Sequence, residues 1–273
     1  MFEKQAPRTP YGSALVILDL IYHATVRNLR KSHGNAVMGL LMNMLQTVIF
    51  VAAFFFMFQI LGMKRSAVRG DFMLYIMTGI FLFMTHIKAM GAVVGAEGPT
   101  SAMMKHAPMN TIVSIVSSAL SALYIQVLSM VLVLLIYHLA FTPITIYNPV
   151  GAMGMVLLAW FSGVAVGMVF LAAKPWAPDA VTVVSNVYSR ANMFASGKMF
   201  LANNVPSHIL VFFTWNPLFH IIDQARGFTF INYNPHHSSV EYPVYVSLTL
   251  VMIGLMGEFF TRKQVSLSWS AKR

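Results

Sequence analysis

The sequence predicts an all-α polytopic membrane protein with six transmembrane helices, an N-terminal amphipathic interface helix and a pair of short re-entrant helices between the fifth and sixth crossings. Three observations lead there. Of the 273 residues, 58% are apolar and 10% charged, with mean hydropathy +0.69, whereas a soluble domain carries about 25% charged residues. Windows of about 19 residues resolve six long apolar blocks. The segment NNVPSHILVFFTWNPLFHIIDQARG, Asn203 to Gly227, is too apolar for an ordinary loop, yet Asn216-Pro217 breaks it near its middle. Proline there removes a backbone donor and opens the helix, and non-helical backbone at membrane depth is tolerated only inside protein or beside a water-filled cavity. A conduit for something polar is therefore the first functional expectation.

The chain is read as one domain, 1–273, divided into a cytoplasmic N-terminus (1–36), a six-helix region (37–260) and a cytoplasmic tail (261–273). In the N-terminus, Leu15, Leu18, Tyr22, Val26 and Leu29 recur at helical spacing, with Asp19, His23, Arg27 and Arg30 on the other face. Such a helix lies in the headgroup plane; its plainer reading is a basic flank of the first span. Asp19 interrupts the only early apolar run and no small-residue cleavage site follows, so no cleavable signal peptide is expected.

The spans are expected at Val37–Leu61, Asp71–Val94, Ile112–Ala140, Val150–Ala173, Ala180–Ala202 and Tyr242–Phe260, with the broken stretch Val205–Ile222 between the last two. Lys4, Arg8, Arg27, Arg30, Lys31, Lys105, Lys174, Arg262, Lys263, Lys272 and Arg273 fall on one side, against Lys64, Arg65, Arg69 and Arg226 on the other. The positive-inside rule then places both termini in the cytoplasm, although the Lys64–Arg69 cluster pulls the opposite way. The loop Gly95–Asn110 encodes one short helix between Pro99 and Pro108, either a docking element for a partner or a capped connector.

Composition and motifs exclude several chemistries. No cysteine is present, so thiol chemistry and cysteine metal sites are absent. Neither GAVVGAEGPT nor ASGKMF has phosphate-loop spacing, no HExxH occurs among nine histidines, and no GxSxG turn accompanies His220 and Asp223. No metal site is therefore expected. The net charge of +10 suits anionic lipid, an acidic neighbouring subunit or an anionic substrate, and nucleic acid is not an expected partner.

Charges and polar groups inside the spans are the candidate functional residues. Arg190, Phe194 and Lys198, four apart, would form one stripe of the fifth helix. An unpaired cation facing lipid there costs about 2.5–3.5 kcal/mol, so the stripe either lines a pathway or pairs structurally, for example Arg190 with Asp179. Lys88 and His86 lie where a lysine can snorkel. Asn43, Gln46, Thr47 and Gln59 give the first span a polar side fit for a lumen or a helix–helix hydrogen bond. The phenylalanines of the first two spans, and Phe212, Phe213, Trp215 and Phe219, are read as packed, interfacial or, for a few, path-lining.

Taken together, VRNLRKSHGNAVMG before the first span, SAMMKHAPMN ending at Pro108, and WNPLFHIIDQARG before the sixth resemble the permease subunits of ABC-2 type transporters, in the capsular-polysaccharide and O-antigen (polysialic-acid-type) export branch. The resemblance runs from about Val26 to the end of the sixth span. It implies a homodimer around a central channel in the bacterial inner membrane, with two separate ABC ATPase subunits carrying ATP and Mg; this chain itself holds no cofactor. Met103, Met104, Lys105, His106 and Pro108 would form the helix that couples to the ATPase, and Arg27, Arg30 and Lys31 the interface helix. Trp215, Asn216, Pro217, Asp223 and Arg226 would belong to the periplasmic gate, and Arg190, Phe194 and Lys198 are placed near the path by inference. The cargo would be a lipid-linked polysaccharide, acidic or neutral, with periplasmic and outer-membrane export components as candidate partners. Export of a drug or lipid is the nearer alternative; a membrane-embedded enzyme acting on a lipid-linked substrate, or a secondary transporter, the more distant ones.

Overall fold

The computed structural model describes residues 10–31, 36–60, 62, 70–98 and 111–270. Among them it forms α1 (Pro10–Lys31), α2 (Ala36–Ile60), α3 (Phe72–Val94), α4 (Thr111–Ala140), α5 (Pro149–Ala173), α6 (Pro178–Ala195), a 3₁₀ turn (Ala202–Asn204), α7 (Ser207–Leu210), α8 (Pro217–Thr229) and α9 (Glu241–Ser270), with no strand among the described residues. The all-helical, polytopic architecture is as expected. Five helices, α2 to α5 and α9, are long and apolar enough to cross a membrane.

The expected fifth span is not among these five. The block at Ala180–Ala202 forms only the 18-residue α6, which stops at Ala195. Asp179, Asn186, Arg190 and Asn192 dilute its apolar run, and Gly197 follows at φ +72°, a left-handed turn that glycine adopts without a Cβ penalty. At the C-terminus the expected span Tyr242–Phe260 matches the apolar stretch Glu241–Thr261, and the helix α9 that carries it continues to Ser270. Elsewhere boundaries agree within a residue or two: Asp71 caps α3 instead of joining it, and Pro149 occupies the first turn of α5, where its missing N–H costs nothing.

α3 is the central post. It packs against α2, α4, α5, α6 and α8, and 78% of its most apolar window is inside the protein, against 17% for α9 at the edge. Two glycines in the run Ser162–Gly167 let α5 press onto it: a Cβ at Gly163 would stand 2.2 Å from the His86 carbonyl oxygen, and one at Gly167 2.8 Å from Val93 Cβ. On the other face of α5, Gly254 and Gly257 of α9 sit as closely against Met168 and Ala172. Small residues at such crossings bring backbones together where lipid supplies no hydrophobic drive for association.

Buried hydrogen bonds then fix the register. Ser162 Oγ donates to Ala159 O (2.9 Å), so it accepts from His86 Nδ1–H (2.8 Å), leaving Nε2 to accept from the Tyr188 hydroxyl (2.9 Å). One neutral tautomer of a fully buried imidazole thus joins α3, α5 and α6. α6 runs opposite to α3: Lys174 Nζ, just before it, reaches Val94 O at 2.9 Å, Tyr188 reaches His86, and Lys198, just after it, lies against Gly79. At the N-terminal end of α3, Asp71 accepts from Met73 N (2.8 Å), Tyr137 Oη (2.7 Å) and Thr142 Oγ1 (2.9 Å), pinning the ends of α3 and α4 together.

Gly163→Ala should lower the detergent melting midpoint, by the equivalent of about 1–3 kcal/mol of overpacking. Gly154→Ala, where nothing lies within 4 Å, should instead hold or raise it through helix propensity. For Asp71, partial burial pushes the carboxyl upward, but the hydrogen bonds from Tyr137, Thr142, Met73 and Leu74 outweigh it and hold the group below its ordinary value. Its stabilisation is therefore present above the unfolded-state value of about 3.9 and lost as pH falls through the lower folded value. Asp71→Ala should cost about 1 kcal/mol at neutral pH, with the gap in melting midpoint closing below about pH 4.

Candidate functional site

The broken segment is a helical hairpin whose break is a cap. Asn216 Oδ1 accepts from Leu218 N (3.0 Å), Pro217 starts α8, and Asn216 Nδ2 donates to Asn192 Oδ1 (2.8 Å) and Ala195 O (3.0 Å), tying the hairpin to the end of α6. Trp215 at the tip is 78% exposed, with its carbonyl held by Tyr242 Oη at 3.0 Å. The stretch after α8 folds back on it. Ser239 N donates to His220 Nδ1 (3.1 Å) while Nε2–H donates to Thr214 O (2.8 Å), and Asp223 accepts from the Tyr233 hydroxyl and from Ser238 Oγ (2.7 Å).

Two expected gate residues, Asp223 and Arg226, are buried within this hairpin. Asp223 does not hold Arg226 through a hydrogen bond; it is occupied by Tyr233 and Ser238. The Arg226 guanidinium instead donates to three backbone carbonyls of the turn after α6, those of Gly197 (3.0 Å), Lys198 (2.7 Å) and Phe200 (2.6 Å), and stacks 4.3 Å from the Tyr75 ring centroid. A planar fork with five donors suits three diverging carbonyls as a lysine would not.

The stripe Arg190–Phe194–Lys198 does not form. Arg190 and Phe194 are exposed on α6, but the helix has ended before Lys198, and the Gly197 turn carries that side chain inward. Lys198 is buried with Nζ lying 3.5, 4.7 and 5.6 Å from the ring centroids of Phe83, Phe54 and Phe50, without a hydrogen-bond partner. Cation–π attraction offsets part of its desolvation. The alternative pairing of Arg190 with Asp179 fails on distance, since eleven residues of helix separate them by about 16 Å.

Near the opposite end, Arg27 and Arg30 are exposed on α1, and Asn28 Nδ2 donates to Ser117 and Ser118 of α4 at 3.2 and 3.3 Å. The Lys31 side chain and the whole of Met103, Met104, Lys105, His106 and Pro108 lie outside the described residues, as does the Lys64–Arg69 cluster. The polar side of α2 supplies the expected helix–helix hydrogen bonds. Asn43 donates to Gln126 Oε1 (3.2 Å) and Ser129 Oγ (2.9 Å) across to α4, whereas Gln46 faces outward and accepts from Lys88 Nζ. Gln59 is exposed. The sequence reading missed Gln126, Ser162 and Tyr188; the signal was a polar residue recurring once or twice per apolar helix, which becomes legible only when helices are paired.

No family model matches the chain. Two curated relatives, each named polysialic acid transport protein KpsM and both from Escherichia coli, are 23% identical to it over 210 residues, covering 76% of this chain and 79% of theirs. Across that length the chain resembles polysaccharide-transport permeases of the ABC-2 type, in agreement with its motifs.

Removal of the Arg226 fork should be structural in effect. Arg226→Met leaves three buried carbonyls without donors and should cost about 3–5 kcal/mol, seen as loss of monodisperse protein in detergent. Arg226→Lys should recover part of the melting midpoint but not all of it.

Proposed function

We propose that this chain is the transmembrane permease subunit of an ATP-driven exporter that moves a lipid-linked cell-surface polysaccharide across the bacterial inner membrane. The observation that carries this reading is Arg190, exposed with Phe194 on a helix that touches the rest of the protomer only lightly. A cation in that position facing lipid would cost about 2.5–3.5 kcal/mol, and Val183, Val184 and Val187 are exposed on the same helix. A second copy packed against α6, with water and an anionic cargo beside Arg190, removes the penalty. The likeness to the two polysialic acid transport proteins supports the same cargo class.

In this reading α6 and the hairpin α7–α8 together make the fifth of six crossings, α9 being the sixth, with the hairpin as a gate on the periplasmic side and both termini in the cytoplasm. Arg190 and Phe194 line the path. Lys198 stands behind it, becoming a path residue only if the Gly197 turn rearranges. Arg27, Arg30 and Lys31 seat α1 on anionic headgroups, and Met103, Met104, Lys105, His106 and Pro108 dock into the ATPase subunits, which carry ATP and Mg. Trp215, Asn216 and Pro217 form the tip of the gate, while Asp223 and Arg226 hold its shape.

Tagged protein purified in mild detergent from its native host should retain an ABC ATPase subunit in equal amount; a lone, stable chain would return the enzyme and secondary-transporter readings to the front. Replacing Lys105 and His106 together with glutamate should leave the permease in the membrane but abolish coupling of ATP hydrolysis to export. Normal surface polysaccharide in that strain would refute the docking role.

A further inference from the structure

A cavity of about 950 Å³ opens between α1, α2, α3 and α4, near the Val94 end of α3. Its apolar lining comes from Met42, Leu45, Ile49, Phe50 and Ile125, and its polar lining from Asn28, Asn43, Gln46, Lys88, Ser118, Ser121 and Gln126; none of the lining residues is acidic. Among the described residues Lys88 Nζ has one partner, the neutral amide oxygen of Gln46, which leaves its charge uncompensated there and two of its three N–H bonds uncommitted. Gln126 is 2% exposed, and while its Oε1 accepts from Asn43, its Nε2 has no acceptor. Leaving a buried donor unmet is costly, and here it shares a cavity with a cation and, among the described residues, no acidic lining group.

Cation, spare donors, no carboxylate and a greasy wall together describe a receptor for a group that is anionic, rich in acceptor oxygens and attached to hydrocarbon. We propose that this cavity binds the phosphate ester of a lipid, with Lys88 as its counter-ion, Gln126 and the Ser118 hydroxyl as further donors, and the acyl chain along Met42, Leu45 and Ile49. Asn28, bonded to Ser117 and Ser118, makes α1 one wall of the site, so an interfacial helix closes over the headgroup. The assignment rests on the chain being a membrane protein and not on its being an exporter. Two sources share the chemistry, an ordinary anionic phospholipid of the bilayer and the phosphate-bearing anchor of the proposed cargo.

The test is binding of dioctanoyl phosphatidic acid to the full chain in detergent, followed by native mass spectrometry, with dioctanoylglycerol as the uncharged control. Phosphatidic acid should bind wild type at least about tenfold more tightly than Lys88→Met, and Lys88→Arg should retain most of the affinity. Gln126→Leu, which removes the unmet donor without removing the cation, should weaken binding less than Lys88→Met and should fold. Equal affinity in wild type, Lys88→Met and Gln126→Leu, or dioctanoylglycerol binding as tightly as phosphatidic acid, would overturn the proposal. Lipids extracted from protein purified out of native membranes separate the sources: a plain phosphoglyceride depleted in Lys88→Met assigns the site to the bilayer, and a glycosylated one assigns it to cargo. Depletion of neither counts against the site. ATPase co-purification should be unchanged in Lys88→Met, which keeps this result separate from the test of the exporter reading.

Discussion

The contact on which the rest of the molecule depends is the backbone-to-backbone meeting of α3 and α5 at Gly163. With no side chain intervening, the His86 carbonyl approaches α5 so closely that any Cβ at residue 163 would overlap it. That approach brings Ser162 to the His86 ring, and the ring in turn selects Tyr188. A single steric fact thereby positions three helices. In a bilayer, where apolar faces gain nothing by leaving lipid, close packing and buried polar bonds of this sort must supply the association energy.

Around this post the remaining helices divide by how they are held. α9 leans on the outer face of α5 through its own glycines, and α8 lies across both α3 and α5. α2 and α4 are joined by an amide–hydroxyl bridge, Asn43 to Gln126 and Ser129, and leave much of their apolar surface outward. α6 is the least supported of the long helices. It is attached at its start through Lys174, at its middle through Tyr188 and at its end through Asn216, with lightly packed stretches between.

Long apolar helices were legible because their signal is additive: twenty residues of Val, Leu, Met and Phe outweigh any local irregularity. The Asn216-Pro217 break was legible too, since proline at a first helical turn and asparagine before it carry a local meaning. The fate of Lys198 was not. Spacing of four from Phe194 predicted a shared face, but the prediction assumed helix through Gly197, whose backbone conformation depends on what packs there, and Phe219 closes that space to any side chain. The partners of Arg226 were illegible for a related reason. An arginine at the edge of a broken segment looks like a water-facing charge, and only the assembled fold reveals three carbonyls converging on it. The cavity beside Lys88 draws on four helices, and no one-dimensional pattern links Gln46, Lys88 and Gln126.

The Arg226 fork has a consequence for leakage. A turn such as Gly197–Phe200 leaves carbonyl oxygens outside any helical ladder, and in hydrocarbon these would normally have to be hydrated. Here one guanidinium does the solvating, and the Tyr75 ring covers it. Those three oxygens consequently need no water of their own. If the chain is the proposed exporter, an interruption whose carbonyls are met by a side chain adds no demand for hydration of its own beside the conduit, and so gives protons no added route there.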